Sequence, residues 1–199
     1  PYAPTRNITV ADIDKDGDID ILITNRGREN QICLNDGKGN FEEVISFGTK
    51  DDSTIDVEVA DMNKDGHNDL VLANRDEQQN FIYLNDGHLD FSKRIPFGTG
   101  KDNTRSVAIA DLNKDGHLDI VTANIGEPNR IYFGDPSMKL TNSVEFDTGK
   151  SNSYAVAIGD LDLDGFDDIV VGNAGEPNTV FLNSKEGKTW TEIQLSKNA

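Results

Sequence analysis

Cysteine is almost absent: Cys33 is the only one in 199 residues, which excludes an internal disulfide. Basic runs are missing too. The formal charge is −17 and no cluster of Lys or Arg relieves it, so neither nucleic acid nor an anionic membrane is expected as a partner. No apolar stretch approaches the roughly 18 residues of a bilayer span, so membrane insertion is not expected. No signal-peptide pattern opens the chain, which starts at Pro1 rather than Met; the expectation is a processed protein or an excised piece of a longer one, which leaves room for a lost leader. Histidine is scarce (His67, His88, His117), and HExxH, Gly-rich phosphate loops and G-x-S-x-G are all lacking. Nor does any segment sustain a helical period, which points to an all-β chain.

What the chain has instead is one acidic loop written four times. DIDKDGDID begins at Asp12, DMNKDGHND at Asp61, DLNKDGHLD at Asp111 and DLDLDGFDD at Asp160, at intervals of 49, 50 and 49 residues. Each reads D-x-[D/N]-x-D-G-x-x-D. Calcium takes six to eight oxygen ligands, and Asp or Asn at alternate positions of a tight loop brings oxygens to one point. Positions 1, 3, 5 and 9 supply the side chains: Asp12, Asp14, Asp16 and Asp20; Asp61, Asn63, Asp65 and Asp69; Asp111, Asn113, Asp115 and Asp119; Asp160, Asp162, Asp164 and Asp168. Position 7 varies as Asp18, His67, His117 and Phe166, so a ligand shared by all four loops there can only be its backbone carbonyl. Glycine at position 6 (Gly17, Gly66, Gly116, Gly165) suits a turn with positive φ. The start resembles an EF-hand, but position 12 is Ile23, Leu72, Thr122 or Val171 rather than Glu, so the bidentate role falls to the Asp at position 9. About four calcium ions are expected, one per loop. They would offset eight of the 17 net negative charges. Without metal, carboxylates about 5 Å apart repel by about 3 kcal/mol per pair, so an empty loop is expected to splay. Weak loops of this type need calcium at about 0.1–1 mM, which favours an extracellular, cell-surface or periplasmic location.

Around each loop lie short strands. NITVAD, DVEVAD, SVAIAD and AVAIGD precede the loops; IDILITN, NDLVLAN, LDIVTAN and DDIVVGN follow; QICLN, FIYLN, RIYFG and TVFLN come third. A fourth is expected near Phe41 to Phe47, Phe91 to Phe97, Val144 to Phe146 and Trp190 to Leu195. Cys33 aligns with Tyr83, Tyr132 and Phe181, which assigns it a buried apolar place. Four strands in about 49 residues is the signature of a propeller blade. The reading is one β-propeller domain over 1–199 built of four-stranded antiparallel blades, approximately 5–50, 54–100, 104–150 and 153–196, with the metal loops on one rim. Four blades make a small ring, an arc of a larger propeller, or half of an assembled one. The in-phase ends favour an excised arc, or a half that self-assembles to complete a ring.

The blade TRSVAIADLNKDGHLDIVTANIGEPNRIYFGD, and the F-G-T-G segment at Phe97 to Gly100, resemble the FG-GAP or VCBS-type repeat. The pattern is broken at Phe146-Asp147 and in the last blade's outer segment. The resemblance implies a calcium-binding β-propeller similar to those of integrin α subunits, bacterial surface proteins, some fungal lectins and several polysaccharide lyases. It leaves the function open, because one fold carries adhesion, sugar binding and catalysis.

Positions where the repeats differ are candidates for recognition. Six residues before each first Asp stand Arg6, Ile55, Arg105 and Tyr154; Arg6, Arg105 and Tyr154 could hold an anionic or sugar ligand, or the arginines could pair with nearby Asp and Glu. Asn30, Asn80, Asn129 and Asn178 recur between the second and third strands, where turn formation explains them. The favoured reading is a calcium-stabilised binding or adhesion module for a polysaccharide or an extracellular protein. Two alternatives stay open: a purely structural segment of a larger surface protein, and a polysaccharide lyase acting on acidic glycans with Tyr154 as base and Arg105 as cation.

Overall fold

The computed structural model describes residues 4–147, 152–184 and 187–195. Every regular element among these residues is a strand, as the period-two patterns require. The first sheet is β1 (Thr5–Ala11), β2 (Asp20–Asn25), β3 (Asn30–Leu34) and β4 (Glu43–Phe47); the second is β5 (Thr54–Ala60), β6 (Asp69–Asn74), β7 (Gln78–Leu84) and β8 (Lys93–Asp102). The third is β9 (Thr104–Ala110), β10 (Asp119–Asn124), β11 (Arg130–Tyr132) and β12 (Ser143–Glu145). The fourth is β13 (Ser153–Gly159), β14 (Asp168–Asn173), β15 (Thr179–Asn183) and β16 (Trp190–Gln194). Each sheet is antiparallel in simple chain order, the topology of a propeller blade. The chain forms two compact units, 1–102 and 103–199, of two blades each. The blade ends expected at 150 and 196 lie outside the described residues.

Within each unit, consecutive blades bury their facing rows of side chains. In the first unit Ile13, Leu22, Ile32 and Phe47 of blade one meet Val57, Leu70, Leu72, Tyr83 and Phe91 of blade two. In the second unit Leu112, Val121, Ile131 and Phe133 meet Ile169, Val171 and Phe181, with the Phe146 ring set edge-on to Phe181 at 5.0 Å between centroids. Each such fully buried aliphatic side chain stabilises its unit by about 1.5–3 kcal/mol.

The Asn at the start of each third strand has a fixed task. Its side-chain oxygen accepts the N–H of the last residue of the preceding strand: Asn25 to Asn30 at 2.8 Å, Asn74 to Asn80 at 2.7 Å, Asn124 to Asn129 at 2.7 Å and Asn173 to Asn178 at 2.9 Å. These residues close the β2–β3 turns and their equivalents. The extra residue of the second repeat falls in the β6–β7 turn, where Asn74 and Asn80 are six residues apart and the other three Asn pairs five; beyond it the β7–β8 register shifts, with Gln78 pairing Asp102 and Asn80 pairing Phe97. With that pair β8 runs to Asp102, beyond the expected end at Phe97. Where two blades have Gly48 and Gly98, the third has Asp147, whose carboxylate accepts the Asn129 N–H at 3.0 Å, so the broken pattern still closes an outer turn.

One expectation needs correcting. Cys33 is only half-buried, whereas Tyr83 and Tyr132 at the same repeat position are buried, because the face of blade one that carries it has no blade against it.

Candidate metal centre

The acidic loop joins the first and second strands of every blade, and its geometry repeats four times. Position 6 glycines have φ of 98°, 95°, 87° and 91°, as the turn requires. Position 4 also lies in the left-handed region, with Lys15 at 62°, Lys64 at 62°, Lys114 at 57° and Leu163 at 61°. Nothing in those residue types announced this.

The position 9 carboxylate is the anchor of each loop and is fully buried in all four. One oxygen accepts the N–H of loop position 2 and the other that of a residue at the end of the third strand or within two residues beyond it. For Asp20 these are Ile13 at 3.0 Å and Asn35 at 2.9 Å; for Asp69, Met62 and Asn85, both at 2.9 Å. For Asp119 they are Leu112 at 2.9 Å and Gly134 at 2.8 Å; for Asp168, Leu161 and Asn183, both at 2.8 Å. Each oxygen keeps a second lone pair. The first carboxylate of each loop accepts the position 6 glycine N–H, for example Gly17 to Asp12 at 3.1 Å and Gly116 to Asp111 at 2.8 Å. Position 5 accepts the N–H of position 7, as Asp18 to Asp16 at 2.9 Å and Phe166 to Asp164 at 2.8 Å. The expected splaying is thus opposed by the loop's own N–H groups, which converge on the carboxylates and offset their repulsion.

Two kinds of loop result. In the first and last, ligand-capable atoms of Asp12, Asp14 and Asp20, and of Asp160, Asp162 and Asp168, lie within 4.8 Å of one another. Asp12 Oδ1 and Asp160 Oδ1 are buried and have no hydrogen-bond partner among the described residues. A buried carboxylate oxygen left so is costly unless a cation meets it, and a hard, oxygen-seeking divalent ion fits this donor set. In the second and third loops Asn63 and Asn113 stand at position 3, and their amides donate to Asp65 at 2.8 Å and Asp115 at 3.0 Å. These loops carry one fewer negative ligand and less internal repulsion.

Titration behaviour follows the same division. Burial, then the carboxylates of Asp16, Asp20 and Asp12, hold Asp14 above the usual range despite the Asp16 N–H. Burial would raise Asp65 as well, but the His67 N–H, the Asn63 amide, and the charges of His67 and Lys15 bring it below that range. Burial pushes Asp69 and Asp119 up to about 6, each partly relieved by backbone N–H groups. Glu58, half-buried on β5, is raised to about 7 by desolvation and by the charge of Asp56. A carboxyl that binds protons more tightly when folded than when unfolded stabilises the fold at low pH and loses that contribution as pH rises. The metal-free protein is therefore expected to lose stability between about pH 4 and pH 7 through these three groups, while calcium-dependent stabilisation grows over the same range as the ligands ionise. Thermal melts across pH 4–7, with chelator and with calcium, should diverge; parallel curves would refute this assignment.

Asp18 and His67 lie beside Gly37 and Gly87 of the outer hairpins, and Phe166 lies under the Lys114 ammonium, 4.5 Å from the ring centroid. Two functional residues were missed by the sequence reading. Lys15 and Lys114, at position 4, donate to the carbonyls of Gly66 and Gly165 in the next loop of the same unit and so tie adjacent loops together. The only hint was Lys at that position in three loops and Leu163 in the fourth.

The variable position before the loop is the extra residue of a β-bulge in every blade. Register shifts occur between Thr5 and Asn7, Thr54 and Asp56, Thr104 and Ser106, and Ser153 and Ala155. Bulges re-aim a side chain, which is why Arg6, Ile55, Arg105 and Tyr154 tolerate such different chemistry. In the second unit Arg105 and Tyr154 meet, the guanidinium carbon 4.7 Å from the ring centroid. In the first unit Arg6 is exposed and Ile55 buried.

Between the outer strands of the third and fourth blades lies a cleft of about 610 Å³. Asn113 and Asp115 of the third metal loop form part of its wall, and Phe133, Asn142, Glu145, Lys188 and Trp190 line the rest. Trp190 is the only tryptophan in the chain, and its buried Nε1 has no hydrogen-bond partner among the described residues.

Solved structures similar to this chain are propellers of low identity. The chain matches BBS1N, crystallised in complex with ARL6DN, at 13% identity with a TM-score of 0.65, over 98% of its own length and 58% of that chain. It matches an Agrocybe aegerita lectin, described as recognising non-reducing terminal N-acetylglucosamine, at 21% identity and a TM-score of 0.66, over 98% and 53%. It also matches a chain of polycomb repressive complex 2 in the basal state at 14% identity and 0.62, over 98% and 40%. The chain thus spans little more than half the length of even the first two. No curated protein matches it significantly. The model of the FG-GAP-like repeat matches at residues 12–72, 61–122 and 111–171, the acidic loops marking each copy. Its overlapping matches run through all four acidic loops, and the chain belongs to the FG-GAP-like repeat family.

Proposed function

We propose that the chain is a calcium-stabilised extracellular binding module that recognises a polysaccharide. The observation that carries this reading is the cleft of the second unit, where a metal loop (Asn113, Asp115) and an aromatic floor (Phe133, Trp190) meet. Sugars are held by stacking on aromatic faces and by hydrogen bonds to fixed amide and carboxylate groups, and Asn142, Glu145 and Lys188 supply the polar partners. Calcium in the third loop would hold that wall rigid. The likeness to a fungal lectin agrees with this chemistry but carries the fold alone. An extracellular location follows from the calcium concentration that loops of this kind need.

Because Trp190 is the only tryptophan, its emission reports on the cleft directly. Titration with neutral and acidic polysaccharides in calcium should shift that emission, and Trp190→Phe should abolish or greatly weaken binding measured by calorimetry. Unchanged emission with no heat of binding across a glycan panel would exclude the cleft. A second reading has one observation in its favour: Arg105 and Tyr154, the pair suited to lyase chemistry on uronates, are in contact. Release of unsaturated uronate ends, lost in Tyr154→Phe, would favour it.

A further inference from the structure

The first and last blades each leave one apolar face uncovered, and those faces are the two halves of the interface that joins blades inside each unit. On blade one, cross-strand pairing sets Val10 beside Ile21, Ile21 beside Cys33 and Cys33 beside Val44, with Ile8 beside Ile23 in the next row. Residues directly opposite in an antiparallel ladder share a face. The same rows in blade two are Val59, Leu70 and Tyr83, with Val57 and Leu72, and they are packed into the first unit's core. In blade four they are Ile158, Ile169 and Phe181, with Val156 and Val171, packed into the second unit's core. Exposure measures the contrast: Ile8 is 60% and Val10 63% exposed, while Val57 is 0%.

The opposite face tells the complementary story. In blades one and three the row is Leu22 and Ile32, or Val121 and Ile131, joined by loop residues Ile13 and Leu112, and these pack on the following blade of the same unit. In blade four the equivalents are Val170, Val180 and Ile193, paired across β14, β15 and β16, together with Leu161. Leu161 is 53% exposed where Ile13 is 1% and Leu112 is 0%, and Ile193 is exposed as well. Leu163 is exposed where Lys15 and Lys114 reach across to the next loop.

We infer that the last-blade face of one copy of this chain packs on the first-blade face of a second copy, and reciprocally, so that two chains cover all four exposed faces. The contact continues an interface the chain already uses twice, with the same residue types at the same repeat positions. Reciprocal pairing also satisfies both faces without leaving an open end that could grow.

The test is the mass in solution in calcium, by light scattering over a range of concentrations. A particle of twice the 21.8 kDa chain mass is expected. Val10→Lys and Ile193→Lys, each at an exposed side chain, should separately raise the dimer dissociation constant at least about tenfold, since each would bury an unpaired charge in the contact. Circular dichroism confirms that either variant still folds. Cys33 lies within the first-blade face, so its reaction with a thiol reagent should be slow in the dimer and fast in both variants. A monomer with reactive Cys33 would overturn the inference, as faces left open. A monomer with protected Cys33 would overturn it too, as faces closed within one chain, and so would open-ended growth.

Discussion

Chelation is expected to lower the melting temperature by on the order of 20 °C. A ligand that binds only the folded state stabilises it by about 2.7 kcal/mol per site at a hundredfold excess over Kd. Each unit holds two loops, and a unit of about 100 residues shifts by roughly 4–8 °C per kcal/mol. The buried, unpartnered oxygens of Asp12 and Asp160 should gain most from an ion. Calorimetry in about 10 mM calcium, roughly a hundredfold above the lower end of the 0.1–1 mM range, and in excess EDTA makes the measurement, and coincident melts would remove the metal from the account of the fold. Magnesium is expected to replace calcium poorly, because a loop of flexible side-chain ligands does not enforce the compact octahedron that magnesium demands.

Asp119→Ala should be the most damaging single substitution in a metal loop even when no metal is present. Its carboxylate is fully buried and takes the N–H groups of Leu112 and Gly134, at 2.9 and 2.8 Å, tying the loop to the end of the third strand. Removing it strands two buried donors at about 1–3 kcal/mol each, a large share of the roughly 5–15 kcal/mol that holds a domain folded. Asp115→Ala makes the contrast. Asp115 is exposed and accepts the His117 N–H at 2.8 Å, so its loss should change the metal-free protein little and should appear only as lost calcium stabilisation of the second unit. Urea unfolding of both variants with and without calcium separates the two roles. Equal effects in EDTA would mean that position 9 is only a ligand and not a structural anchor.

Much of the candidate site could be read from residue types alone. Asp at positions 1, 5 and 9, Asp or Asn at position 3, and Gly at position 6 state their chemistry directly, since only oxygen donors and a positive-φ turn explain that spacing. Less legible was the double duty of Asp20, Asp69, Asp119 and Asp168. Their partners include Asn35, Asn85, Gly134 and Asn183, 15 residues away in three cases and 16 for Asn85, and only backbone N–H groups are involved. Any residue but proline can donate from its backbone, so no residue type marks such a partner. The bulge under Arg6, Ile55, Arg105 and Tyr154 was hidden for the same reason. It was found in sequence only as a position that varies, and the variation is permitted because the extra residue makes no ladder pair.

The sequence by itself determined the repeat, the four-stranded blade, the loop between its first two strands, and the oxygen set within each loop. These are local properties: period-two burial, turn geometry and ligand spacing act over a few residues and recur with each copy. Only the tertiary structure decided which faces are covered. Val10 and Val59 are the same residue at the same repeat position, one exposed and the other packed in a core, because burial depends on what lies against a strand and not on what the strand contains. The cleft around Trp190, the meeting of Arg105 with Tyr154 and the half-open place of Cys33 belong to that second category, since each arises where blades meet or fail to meet.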